Sequence, residues 1–362
     1  MLKVYGLKVS YFTGKLEAYL RYKEIPYDFH SMTGREFMRD IPAKTGAMQM
    51  PAVELDDGRW MTDSSPMIDW FETQYPDPPI LPADGAQAFV CRLIEDYADE
   101  WLWRPAMHYR WSYPVSSKLL ARQIADAMGA DINAPGWMKR RRTERRQKLN
   151  FVDRDGVTPQ TRAHVEGAYL RLLDMLKLIF RDRPFLFGAR PTLADIGLMG
   201  PMFRHFAMDP GPGIIMREEA PEVMAWVYRV WAASASRTTG DLVSGIPDDL
   251  RPLLREIGTA HLEALNAEAV AWQAGQKRHG AIIQGTEYRD LQTSQYRVWC
   301  LEVLQARHAA LDAPARAALD PILEAEGVLE PLLRQSGLDA GYEQGKAAPF
   351  GKSLPVFEEI RN

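Results

Sequence analysis

Three hydroxyl side chains, Ser10, Tyr11 and Thr13, fall within four residues at the start of a helical pattern. Hydroxyls in that position can cap a helix and still donate a hydrogen bond. Further on, Thr62-Asp63-Ser64-Ser65-Pro66 reads as a second helix start, with small oxygen-bearing residues ahead of a proline. Backbone N–H groups and a hydroxyl at such a start suit a carboxylate, and an acidic side chain there suits an ammonium. Between these two places stands Met50-Pro51, at the opening of a strand. A third group, Trp101, Trp103, Met107, His108, Tyr109, Arg110 and Trp111, ends a long helical face. Aromatics at helical spacing build a core or a pocket wall, and His108 and Arg110 could pair with an acidic substrate group.

The elements that must position these residues are readable from periodicity. Leu2 and Val4 alternate with Lys3 and Tyr5, and Gly6 ends that strand. Leu16, Leu20 and Lys23 follow helical spacing until Glu24-Ile25-Pro26 closes the helix. Ile25, Tyr27 and Phe29 alternate again, and this compact order predicts a parallel pair with a crossover. Met48 to Leu55, the turn Asp56-Asp57-Gly58 and Arg59-Trp60-Met61 predict a hairpin. Met67, Ile68, Phe71 and Tyr75 continue the helix behind Pro66. The order is β-α-β, a hairpin, then a helix.

Val4-Tyr5-Gly6, Ser10 to Leu16, Met50-Pro51 and Asp63-Ser64, in this order and spacing, resemble the thioredoxin-like N-terminal domain of the glutathione transferase superfamily. The resemblance implies an α/β thioredoxin-like domain over residues 1–80, with glutathione as co-substrate and no metal. Ser10 takes the place of the activating residue of serine-type members, but Tyr11 stands where proline is usual. Tyr11 and Thr13 therefore remain competing donors for the thiolate. A free thiol has a pKa near about 8.5, and lowering it by about two units needs roughly 2.7 kcal/mol of preferential stabilisation. One charge-assisted hydrogen bond plus a helix N-terminus is of that size. The resemblance further implies a cis bond at Met50-Pro51 that turns the backbone of Met50 towards the peptide. It also implies that Asp63 and Ser64 hold the γ-glutamyl end. Trp103, Met107, His108 and Trp111 are then expected around the second substrate.

Beyond a stiff Pro76–Pro82 linker the signal turns helical. Val165 to Phe180 is the clearest helix, and Arg183 to Leu198 is similar to the C-terminal-domain signature of the same superfamily. In that signature Thr192 and Asp195 have a folding role. These features imply an all-α domain over 85–243, with an insertion at about 112–159 and a helical extension over 244–362 packed on it. Seven of the ten residues Lys139–Lys148 are basic, a run read here as a solvated helix face, with nucleic acid as the rival. Loop residues Pro349-Phe350-Gly351-Lys352 could cover the site or build a dimer contact.

The 362 residues are 46% apolar with a net charge of −4, which excludes a disordered chain and gives no global attraction to nucleic acid or an anionic membrane. Two cysteines cannot staple a chain of this length, and the N-terminus lacks the pattern of a signal peptide, so the expectation is a cytoplasmic protein. The histidines lack metal-ligand spacing. The functional expectation is a homodimeric glutathione transferase acting on a small, mostly apolar electrophile. The alternative is a non-catalytic binding or assembly module that uses the extension as its interaction surface.

Overall fold

The computed structural model describes residues 1–342 and 348–354. Strand β1 (Leu2–Gly6) buries Leu2 and Val4 and exposes Lys3 between them, as its alternation predicts. Then come α1 (Tyr11–Tyr22), β2 (Tyr27–Ser31), a short α2 (Ile41–Thr45), β3 (Ala52–Glu54), β4 (Trp60–Thr62) and α3 (Ser64–Gln74). The sheet runs β2-β1-β3-β4. Val4 lies opposite Phe29 on parallel β2 and opposite Val53 on antiparallel β3. Parallel neighbours need a crossover, and α1 supplies it.

The helical domain comprises α4 (Gly85–Asp96), α5 (Trp103–Trp111), α6 (Pro114–Met128), α7 (Gly136–Lys148), α8 (Arg162–Asp182), α9 (Leu193–Pro201), α10 (Pro210–Glu219) and α11 (Pro221–Ala232). Asp195 is fully buried at the start of α9, where it accepts from the backbone N–H of Leu186 and Thr192, the Thr192 hydroxyl and Trp226 Nε1, each at 3.0 Å. That is a structural centre, joining a loop, a helix start and α11. Helices α6 and α7 form most of the expected insertion, and the basic run follows α7, on which no residue is buried.

Five π-helical segments interrupt the helices among the described residues: Glu36–Asp40, Tyr97–Trp101, Leu149–Asp153, Met202–Ala207 and Ile257–Leu262. The wider turn carries an extra residue and so re-aims the side chains that follow.

The extension is helical, as expected, and adds a β-hairpin that the sequence reading did not include. It contains α12 (Arg251–Glu256), α13 (Glu263–Gln273), a hairpin of β5 (Arg278–Ile283) and β6 (Thr286–Gln292), then α14 (Gln295–Ala309), α15 (Ala313–Ala325) and α16 (Leu329–Leu333). Ala281, Ile283, Tyr288 and Leu291 bury the hairpin's inner face. Its two-residue turn, Gln284-Gly285, has φ of 48° and 78°, the left-handed pair that a tight hairpin requires. The extension also packs on more than the helical domain. Arg307 reaches Asp69 of α3 at 3.2 Å, and the Thr62 N–H of β4 donates to the Pro349 carbonyl at 3.0 Å. Among the described residues, no helix is long and apolar enough to cross a membrane.

The two domains are joined by buried charge. Lys15, on α1, is fully buried and donates to Glu95 and Ser65, each at 2.8 Å, and to Asp99. Burial works against its ammonium, but the charges of Asp99 and Glu95 prevail and raise its pKa. Removing one partner from such a group leaves buried, uncompensated charge. Lys15→Ala is expected to lower stability by about 3–5 kcal/mol in urea denaturation. Breaking the exposed Arg289–Glu287 pair by Arg289→Ala should leave the urea midpoint essentially unchanged in the same measurement.

Candidate active site

A cavity of about 620 Å³ opens where the N-terminal ends of α1 and α3 meet the turn before β3 and the helical domain. Ser10, Tyr11, Met50, Pro51, Asp63, Ser64, Trp103, Met107 and Trp111 line it, whereas Thr13 and His108 do not.

The three candidate hydroxyls are separated by what each already bonds. Ser10 is the N-cap of α1, and its Oγ accepts the Thr13 N–H at 3.4 Å. Capping uses a lone pair, so the Ser10 O–H is left to donate into the cavity at the helix's positive end. Tyr11 is buried and its hydroxyl donates to the Ala98 carbonyl. Burial, and next the charge of Asp99, pushes that phenol well above its usual range. Its ring lies edge-on to Trp103 at 5.4 Å and to His205 at 5.2 Å, so Tyr11 contributes wall, with its proton already engaged. Thr13 is fully buried and packs towards Gly6, where a Cβ would come within 2.5 Å of its hydroxyl oxygen.

The Met50-Pro51 bond is cis. Asp63 precedes α3 with φ 73° and ψ 111°, a sparsely populated conformation for a residue with a side chain. Such conformations cost about 1–3 kcal/mol and need surroundings that hold them. Here the hold comes from the extension: the Tyr296 hydroxyl, on α14, lies 3.0 and 3.2 Å from the two carboxylate oxygens of Asp63. Burial pushes the Asp63 carboxyl up to about 6, opposed by the Tyr296 hydrogen bond and the charge of Lys15. Ser64, buried, begins α3 beside it.

The π-helical turn at Tyr97–Trp101 brings two more acids to the cavity wall, Asp99 and Glu100. Burial raises Asp99 against the pull of Lys15. Burial also pushes Glu100 up to about 8, although Arg297 on α14 lies 3.2 Å from its carboxylate. Four of the five π-helical segments supply lining residues: Phe37, Asp99 with Glu100, Phe151 and His205. Burial, and next the charge of Arg110, pushes His205 well below its usual range and leaves its imidazole neutral.

Opposite lies an apolar wall. Trp103, Met107 and Trp111 recur every four residues on α5 and therefore share one face. Trp103 stacks on Phe12 with ring centroids 5.6 Å apart and meets Phe151 edge-on at 5.4 Å. Ile124 and Met128 of α6 and Arg146 and Gln147 of α7 complete this side. Helices α6 and α7 are thus part of the cavity wall. His108 corrects the expectation: it falls on another face of α5, buried, 2.9 Å from Glu166. Arg110 does line the cavity, but it donates to Asp209 at 2.7 and 3.0 Å and to the Val9 and Arg204 carbonyls at 2.7 Å. Its guanidinium is spent on the protein.

Phe12, Phe151, His205 and Tyr296 were not among the sequence candidates, and Lys352 entered only as part of a loop that could cover the site or build a dimer contact. Phe12 stood inside the motif and was readable as an apolar neighbour of Ser10. The others arrive from distant chain, where only the tertiary fold reveals them.

Residues 4–79 match the family model of the glutathione S-transferase N-terminal domain, and residues 149–233 match that of the glutathione S-transferase C-terminal domain. The chain belongs to the glutathione S-transferase superfamily. Among solved structures it is similar to a glutathione S-transferase from Methylobacterium radiotolerans in complex with glutathione sulfonate, at 18% identity over 68% of this chain and 98% of that one, TM-score 0.40. It is also similar to a β-etherase from a Sphingobium strain, at 18% identity over 65% and 96% of the two chains, TM-score 0.46. A glutathione S-transferase from Rhodospirillum rubrum matches at 21% identity over 68% and 97%, TM-score 0.42. At such identities and TM-scores these likenesses carry no argument about what this chain acts on. No curated protein matches the chain.

An ammonium held by Asp63 needs the carboxylate ionised. Glutathione binding is therefore expected to weaken as pH falls through about 6, the value to which the Asp63 carboxyl is raised. Tyr296→Phe removes a hydrogen bond that favours the charged form, so the loss should begin at a higher pH. Calorimetric titrations with glutathione across that range, on both proteins, measure the shift.

Proposed function

We propose that this chain is a serine-type glutathione transferase, with Ser10 as the donor to the thiolate. The observation that carries the reading is the division of labour among the hydroxyls: Ser10 caps α1 with a lone pair and keeps its proton for the cavity, while that of Tyr11 goes to Ala98. In this reading the glutathione thiol gives its proton to water, and the Ser10 O–H donates to the sulfur anion at the head of α1. The thiolate then attacks an electrophilic carbon, a C–S bond forms, and the electron pair leaves with the departing group or settles on an adjacent acceptor. Met50 pairs with the peptide backbone, while Asp63 and Ser64 hold the γ-glutamyl ammonium and carboxylate. Trp103, Met107, Trp111 and Phe151 favour a small, mostly apolar second substrate.

The rival reading, a non-catalytic assembly module, expects an extension with surface to spare for partners. Two features weigh against it: Tyr296 bonds Asp63, and Arg297 lies among Glu100, Asp155 and Glu268 at 3.2–3.5 Å. Retention on immobilised glutathione and an ultraviolet titration of the bound thiolate separate the two readings. Ser10→Ala is expected to raise the bound thiol's pKa by about one to two units and to lower kcat/KM about 10- to 100-fold near neutral pH. Tyr11→Phe should leave that pKa within a few tenths of wild type. An unchanged thiol pKa in Ser10→Ala assigns the donor elsewhere.

A further inference from the structure

The charge inventory of the cavity leaves one ligand group without a partner. Its titratable acids are Asp63, Asp99 and Glu100, all on the α3 and α4 side. Glutathione, on which this argument rests through the reading above, carries one ammonium and two carboxylates. Asp63 suits the ammonium, and the start of α3 with Ser64 suits the γ-glutamyl carboxylate. The glycyl carboxylate still needs a cation. Of the cations that line the cavity, Arg110 is held by Asp209 and two carbonyls, and Arg146 stands on α7 beside the apolar wall. Lys44, outside the lining, lies over the Trp60 ring, 4.0 Å from its centroid.

Lys352 is placed differently. It lines the same cavity although it stands more than 280 residues after Asp63 in the chain. Its aliphatic stem rests on Gly46, where a Cβ would come within 2.9 Å of Lys352 Cγ, and Gly46 has φ 75°. A side chain at position 46 would therefore displace the lysine. The segment carrying Lys352 is seated at several points. The Pro349 carbonyl accepts from Thr62 N–H at 3.0 Å, and the Lys352 carbonyl accepts from the Tyr342 hydroxyl at 2.7 Å. Buried Ser353 donates to Gln49 Oε1 at 2.9 Å, and Gln49 Nε2 donates to the Leu354 carbonyl at 2.6 Å. Phe350 meets Trp70 edge-on at 5.3 Å, beneath the Arg59 guanidinium at 4.6 Å. Both ends of the lysine's backbone are thus tied to the N-terminal domain, and the residues before the cis peptide, Gly46 to Gln49, are the ones it covers.

We infer that the C-terminal extension is part of the ligand site, with Lys352 as the counter-ion for the free carboxylate at the glycyl end of the peptide. The flexible stem and exposed ammonium suit a rim contact that selects a C-terminal acid over a blocked end. Affinities of the full-length chain for glutathione and for its glycyl ethyl ester, measured by calorimetry, test this. Wild type should bind the acid about fivefold more tightly than the ester. Lys352→Met should lose that preference by weakening the acid alone, and Lys352→Arg should keep most of it. If Lys352→Met retains the wild-type ratio, or weakens acid and ester equally, Lys352 is not the counter-ion, and the transferase reading still stands. If wild type binds neither compound, both ideas fall together.

Discussion

The buried ammonium of Lys15 is the constraint from which the geometry of the site follows. It lies one turn into α1, below the Ser10 cap, and it is bonded at once to α4, to the π-helical turn after it and to Ser65 at the start of α3. A lysine without water must keep all its donors satisfied, so these three pieces of backbone cannot move independently. That fixes the hydroxyl at the head of α1 relative to the acid at the head of α3. Glu17 acts in parallel on the same helix, 2.9 Å from Arg204 of the Met202–Ala207 segment that carries His205. Both bridges are more costly to hold than apolar packing of equal volume would be. Their return is a single relative placement of two domains whose apolar faces alone would tolerate sliding.

Given that placement, the π-helical turns explain how helices built for packing also furnish a cavity. A regular α4–α5 helix would repeat one buried stripe, and Asp99 and Glu100 would follow Glu95 around it. The wider turn at Tyr97–Trp101 sends both acids to the cavity while Tyr97 and Trp101 stay in the core. The same device re-aims Phe37, Phe151 and His205. Acids from the π-helical turn after α4 and aromatics from α5 thus face one space, polar on one side and apolar on the other.

What the sequence disclosed divides along the distance between partners in the chain. The strand–helix–strand order, the Thr192–Asp195 box and the motif residues Ser10, Met50 and Asp63 were readable because their signals are local: alternation, capping and proline. Choosing among Ser10, Tyr11 and Thr13 was not possible from the sequence, since the choice depends on whether a hydroxyl proton meets Ala98 or open space. His108 was misplaced for a related reason. Spacing along α5 says which residues share a face, and Trp103, Met107 and Trp111 do, but His108 lies one step round and finds Glu166. The β5–β6 hairpin was hidden because Gly280 and two consecutive isoleucines blur the alternation, and its turn is Gln-Gly, a weaker signal than Asn-Gly.

The least readable contribution, the extension, is also the one that most changes the chemistry of the site. Asp63 sits in a strained backbone conformation and in surroundings that favour its neutral form. A lone carboxylate so placed would be a weak anchor at neutral pH. The Tyr296 hydroxyl on its oxygens shifts the balance towards the charged state, and Arg297, the next residue, does the same for Glu100 from the other side of the wall. Consecutive residues on a helix point about 100° apart, so one turn of α14 can serve both acids. The turn must then be held firmly, and Ser294 caps it while Glu268 accepts the Ser294 N–H at 2.8 Å. The hairpin and α13 behind it therefore act on the cavity indirectly: they hold the helix that biases the charge of two acids in its wall.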